Sequence, residues 1–302
     1  RSMNQALTFE VFSAEMSKRN IPLGSSQMMT LKMIGEDNLY TNLALLLSDQ
    51  CEVTTKVAIF QGTDKAIFRD RKEFSGSIIK QLDDVFQFID LNNKTKASFS
   101  GLERIDKRDY PEEAVRESLL NSIVHRDYSF SGSNLINIYD DRMEFVSLGG
   151  LVSGLELDSI FLGVSQPRNP NLAAIFYRMM LIESYGTGIG KIQRAYEGYS
   201  KQPVFETAKG VFRVTLPNRN EMLNHTNLPK KRIVAVYRQP SSLTEKQLIL
   251  EYVNKNKKIT RKEAEAILNS GTTKAFKLLK ELCTSGELQA IRSGKNTYYT
   301  SV

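Results

Sequence analysis

Apolar residues recur along this chain first at helical and then at strand-like spacing. Residues 4–19 read as a helix and Thr41–Leu47 as a buried apolar element, while Lys56–Phe60 predicts a strand stopped by Gly62. Apolar positions 78, 79, 82, 85, 86 and 89 have the spacing of an amphipathic helix, and the polar stretch Asp90–Ser100 predicts a loop after it. Pro111–Arg126 is the best-marked helix, with proline in its first turn and two glutamates directly behind. Leu135–Val146 predicts two short strands turning at Asp140-Asp141. Asn169-Pro170 reads as an N-cap and first-turn proline opening a helix to about Glu183. A glycine cluster, a helix over 191–199 and a strand Val211–Leu216 closed by Pro217 follow. No internal repeat is visible.

The last stretch, 243–302, predicts three helices and a hairpin. Leu248, Ile249, Tyr252 and Val253 form the first apolar face, and Thr260 with Glu263 forms a capping box at the second helix. That helix ends at Leu268, before a turn at Asn269-Ser270-Gly271. The third helix, Thr272–Ser285, is expected to bury Ala275, Phe276, Leu278, Leu279 and Leu282 while Lys274, Lys277 and Lys280 point elsewhere. Leu288–Ile291 should pair with Thr297–Thr300 across a tip carrying Arg292 and Lys295. This is a winged helix-turn-helix pattern, whose third helix suits the major groove of double-stranded DNA and whose wing suits the backbone.

Charge sharpens that reading. The 302 residues carry a net +7, but residues 226–302 hold 15 Lys and Arg against 6 Asp and Glu, a net of +9, and the rest of the chain is close to neutral at −2. A basic end on a neutral body suits a chain that meets a polyanion; a solvated lysine face is the plainer alternative. With 41% hydrophobic and 25% charged residues the chain can build cores, and its length predicts two domains or three small ones. No apolar run is long enough to span a membrane, and the N-terminus has no signal-peptide pattern. Arg1-Ser2 ahead of Met3 reads as a cloning scar. Two cysteines and two histidines exclude a disulfide framework or a structural zinc site, and fit a cytoplasmic, reducing compartment.

On the Pro111–Arg126 helix, Val115, Leu119, Leu120, Ile123 and Val124 fill one arc, and Glu117, Asn121 and His125 form a stripe on the other. Such a carboxylate can activate a water, and such an amide oxygen can hold Mg²⁺; an ordinary wet helix face is the alternative. In Gly186-Thr187-Gly188-Ile189-Gly190, alternating glycines let backbone N–H groups turn toward an anion, or simply make a tight turn between helices. A P-loop is excluded, because Tyr185 and Ile192 stand where glycine and Ser/Thr are needed, and a dinucleotide fingerprint fails because a helix precedes the glycines. His125-Arg126-Asp127 is no kinase motif: Gly132 occupies the position that requires asparagine.

Taken in order, Arg116-Glu117, Asn121, His125-Arg126-Asp127-Tyr128, Tyr139-Asp140-Asp141-Arg142-Met143-Glu144, Gly149-Gly150-Leu151, Arg168-Asn169-Pro170 and Glu183 with the glycine cluster carry a resemblance. The chain resembles, over about 40–302, bacterial and archaeal transcriptional regulators that join a Schlafen-like AlbA-type module to a divergent GHKL ATPase-type domain and a C-terminal winged helix. The resemblance implies an α+β fold, a mixed sheet with helices on one face and ATP between, followed by the small winged domain. It implies Glu117 as the water-activating catalytic residue and Asn121 as the Mg²⁺ ligand. It places His125, Ser147, Gly149, Gly186, Thr187, Gly188 and Gly190 around the nucleotide, and Lys274, Lys277, Lys280, Arg292 and Lys295 on DNA. Ser147 stands where such domains present an aspartate to adenine; a neutral bond there weakens binding by about tenfold.

The implied organisation is a connecting α+β segment over 1–100, a GHKL-like domain over 101–220, a linker over 221–242 and a winged helix over 243–302. The AlbA-type module is expected to be missing, the chain starting at the segment that follows it. The implied function is a DNA-binding transcriptional regulator gated by ATP. A Mg²⁺-dependent ATPase of a larger, defence-type assembly, its winged helix used for docking, is the alternative. A pocket serving only oligomerisation is a weaker third, and half-site geometry suggests a homodimer.

Overall fold

A six-stranded sheet organises the first 220 residues of the computed structural model, which describes residues 1–183, 185–220, 245–268, 272–293 and 296–301. The chain divides into two units, Arg1–Asn224 and His225–Val302. The first opens with α1 (Glu10–Lys18), α2 (Ser25–Thr30) and α3 (Asn42–Leu47), then β1 (Thr55–Gln61), β2 (Ile67–Phe74) and α4 (Ile78–Asn92). A hairpin of β3 (Thr95–Ser100) and β4 (Glu103–Arg108) leads to α5 (Glu112–Val124), β5 (Asn134–Ile138) and β6 (Arg142–Leu148). The unit finishes with α6 (Leu157–Phe161), α7 (Pro170–Arg178), α8 (Gly188–Arg194), β7 (Val204–Ala208) and β8 (Val211–Pro217).

The strand order is β2-β1-β5-β6-β8-β7. Only β1 and β5 run parallel; the other neighbours are antiparallel, so the sheet is mixed and the fold α+β. Strand parity turns Val57, Ile136, Met143, Phe145 and Val214 inward, where they join Leu119, Leu120 and Ile123 of α5 in one buried cluster. Asn93 clamps the entry to α5, its side chain donating to the carbonyl of Tyr110 at 2.9 Å and accepting from the Tyr110 N–H at 2.9 Å.

The structure corrects several expectations. Strands β1 and β2 belong to the same sheet as β5–β8, so no boundary falls at residue 100. The loop expected over Asp90–Ser100 is instead the end of α4 and strand β3. The helix expected to reach Glu183 stops at Arg178, where Met180 turns to a φ of +56°. The expected linker, 221–242, lies outside the described residues.

The second unit runs α9 (Glu245–Asn256), β9 (Ile259–Thr260), α10 (Arg261–Ile267), α11 (Thr272–Thr284), β10 (Leu288–Ser293) and β11 (Asn296–Ser301), with strand order β10-β11-β9. Ile249, Val253, Ala275, Leu279, Leu282, Leu288 and Tyr299 make its core. The capping box at Thr260 and Glu263 forms as expected. Among the described residues no helix is long and apolar enough to cross a membrane.

Arg126 joins α5 to the sheet. It is 1% exposed, and its guanidinium donates to the carbonyls of Thr54, Phe130 and Gly132. Replacement by methionine strips a charged donor from buried carbonyls and should lower stability by about 2–3 kcal/mol. Urea unfolding of Arg126→Met checks this, and an unchanged midpoint would refute the role.

Candidate functional site

One turn of α5 after another points at a single hollow. Glu117, Asn121 and His125 line it, as their i, i+4, i+8 spacing requires, and so do Ser118 and Ser122 one position further round. Facing them are Phe145 and Ser147 of β6, Gly149 and Gly150 beyond it, Phe212 and Val214 of β8, and Gly186, Thr187, Gly188 and Ile189. The cavity measures about 620 Å³, within the range of small-molecule sites. About 65 positions of chain separate the α5 stripe from the glycines, yet both border this one space.

The contact between them is close. A Cβ at Gly188 would lie 3.0 Å from Glu117 Oε2 and 3.3 Å from Asn121 Nδ2. Glu117 is only 6% exposed, with Arg116 Nη1 at 3.4 Å and Lys191 Nζ at 4.0 Å from its Oε1. Burial pushes its carboxyl above the ordinary glutamate range, although Arg116 and Lys191 oppose the shift. Lys191 also pairs with Glu183 at 2.8 Å, and the Thr187 hydroxyl donates to Glu183 at 3.0 Å, so one carboxylate ties both ends of the glycine segment.

Gly186 needs its glycine. Its φ is +66°, and a Cβ there would fall 2.2 Å from the Gly163 carbonyl oxygen. Gly190 does not border the cavity. It lies inside α8, and its nearest neighbour in the Cβ direction is Arg194. Gly149 has a φ of +102°, and a side chain there would strike Asp127, so the position demands glycine independently of any ligand. Ser147 is buried and its hydroxyl donates to the Phe212 carbonyl at 3.4 Å, so it is partly engaged already. His125 is held below the usual imidazole range by burial and then by Arg168, both of which disfavour its charged form.

Sequence reasoning missed Ser118, which is fully buried with its hydroxyl unpartnered on the cavity wall. Arg168, singled out in the sequence without a role, holds the Gly150 carbonyl at 2.9 Å and Asp127 at 3.4 Å. The helical repeat could have found Ser118 and Ser122, which trail Glu117 and Asn121 by one position each. Asn169 has a different duty from the one expected. Its side chain makes no N-cap bond to α7 and instead donates to the carbonyls of Val124 and Arg126, closing the end of α5. Among the described residues no group of three or more His, Cys, Asp or Glu could hold a metal ion. A cation here would therefore draw most of its ligands from a bound anion and water.

In the second unit, Lys277 and Lys280 are exposed on α11, whereas Lys274 is paired with Glu245 of α9 at 2.5 Å. Phe276, expected in the core, is 48% exposed. Arg292 lies on β10, and Lys295 falls outside the described residues.

Fold and cavity together define an α+β domain with a mixed sheet and a cavity of small-molecule size beside α5. Residues 133–216 match the family described as "Putative ATP-dependent DNA helicase recG C-terminal". That stretch includes Ser147 and the glycine cluster and leaves Glu117, Asn121 and His125 just outside it. The fold is similar to the crystal structure of the DIP2311 protein from Corynebacterium diphtheriae, with a TM-score of 0.61 and 18% identity over 96% of this chain. The chain spans 60% of that protein's length. Among curated protein sequences none matches the chain.

Two predictions follow from the geometry. Gly186→Ala should force the 183–188 segment off Gly163 and lower the melting temperature of the first unit by several degrees, about 2–4 °C for each kcal/mol of strain; scanning calorimetry reads the shift. For Glu117, the folded carboxyl titrates above its unfolded value, so its charged form destabilises the fold progressively as pH rises through that interval. Glu117→Gln should therefore stabilise the protein at pH 7 and leave it unchanged near pH 4, as thermal melts at both pH values would show.

Proposed function

We propose that the first unit binds ATP with Mg²⁺ in the α5 cavity, and that its nucleotide state governs how the second unit engages double-stranded DNA, as a transcriptional regulator does. The observation that carries this reading is the convergence of Glu117, Asn121, Gly186 and Gly188 on one cavity. Its apolar wall of Phe145, Phe212 and Val214 suits a base, and its border of Gly186, Thr187 and Gly188 suits phosphates. Asn121 is the residue to hold Mg²⁺ through its amide oxygen, with phosphates and water completing the shell. When bound, the cation would neutralise phosphate charge. In this reading Glu117, its proton affinity raised by burial, takes a proton from a water.

Three helices followed by a hairpin, with Lys277 and Lys280 exposed on α11, fit a winged helix reading DNA. Paired half-sites would call for a homodimer.

A second reading, turnover that drives a larger assembly with the second unit as a docking module, is favoured by the retained Glu117 carboxylate. Isothermal titration of the full chain with ATP and Mg²⁺ tests the first reading: heat is expected in the wild type and is lost or weakened in Asn121→Ala. No heat in the wild type would end it. The second reading expects Mg²⁺-dependent hydrolysis to fall by about 10²–10⁴-fold in Glu117→Ala; equal rates would exclude it.

A further inference from the structure

Helix α11 has thirteen residues and one side on the core. Ala275, Leu279 and Leu282 are fully buried, with Leu278 and Cys283 packed beside them. Lys277, Lys280 and Thr284 lie on the opposite side, all exposed. Phe276 stands at the border of the two sides, next to Cys283 around the helix. It is 48% exposed, is not part of the core cluster, and stands one helical turn from Lys280. About half of Phe276 is thus free for a partner, and the charge of the neighbouring lysines favours a polyanion over a second apolar face.

We infer that Phe276 reads the 5-methyl group of thymine in duplex DNA, with Lys277 and Lys280 on the flanking phosphates; this rests on the DNA-binding reading above. The chemistry is specific. Among the four bases only thymine presents a methyl group in the major groove, and an apolar side chain is what recognises it. Lysines contact phosphate without regard to sequence. Lys274, tied to Glu245, is not one of the reading residues.

The test uses the full chain and a duplex selected by it from a randomised library. The selected duplex is then remade with uracil for thymine, which deletes the methyl and nothing else. The wild type should bind the uracil duplex about fourfold more weakly per contacted thymine, the worth of burying one methyl. Phe276→Ala should bind both duplexes alike, at the wild type's affinity for the uracil form. Lys280→Ala should weaken both equally and keep the thymine preference, with a salt slope smaller by about one. Circular dichroism checks that the variants fold.

If the wild type binds DNA but ignores the methyl, the inference fails while DNA binding stands. If Phe276→Ala instead abolishes self-association of the protein, the residue belongs to a contact between copies, and the inference is overturned. If no duplex is enriched at all, the DNA-binding reading and the inference fall together.

Discussion

Glu117 is a carboxylate buried against a glycine. It projects from α5 into a space where a side chain at 188 would begin 3.0 Å from its oxygen, so a glycine there lets the segment lie against α5 without crowding the carboxylate. The same closeness removes water from the carboxylate and raises its proton affinity. Arg116 and Lys191 limit that penalty without abolishing it. The cavity's polar border depends on this approach of two segments remote in sequence.

The sheet makes that approach possible. Because β1 and β5 are parallel, the chain between them must cross over, and α4 and α5 lie on that crossover, packed against one another and against the sheet. Arg126 and Asn169 then fix the end of α5, one to carbonyls leading into β1 and β5 and the other to the carbonyls α5 leaves free. Arg168, beside Asn169, reaches back to Gly150 at the exit of β6. The run Arg168-Asn169-Pro170 thus binds the helix end and the strand end into one frame, and the cavity lies between them.

Where side-chain chemistry repeats at the helical period, the site was legible: Glu117, Asn121 and His125 announce a shared face, and the alternating glycines announce a tight backbone. What the stripe could not reveal is burial. An amphipathic wheel assigns polar residues to water, whereas here they face an enclosed space roofed by another segment. Strand β2 escaped because Arg69-Asp70-Arg71-Lys72-Glu73 has no apolar alternation; its conformation comes from pairing with β1 along an exposed edge. The β3–β4 hairpin escaped for the same reason, being exposed along nearly its whole length. Phe276 was misplaced because the apolar run 275, 276, 278, 279, 282 is wider than the face one helix can bury, and the outermost member is left in solvent.

Hydrogen exchange read by mass spectrometry, with and without ATP and Mg²⁺, addresses the shared site most directly. The account predicts that peptides covering 117–125 and 183–190 gain protection together on addition of nucleotide, and that the β3–β4 hairpin does not change. Protection of one of those segments without the other, or of neither, would contradict it.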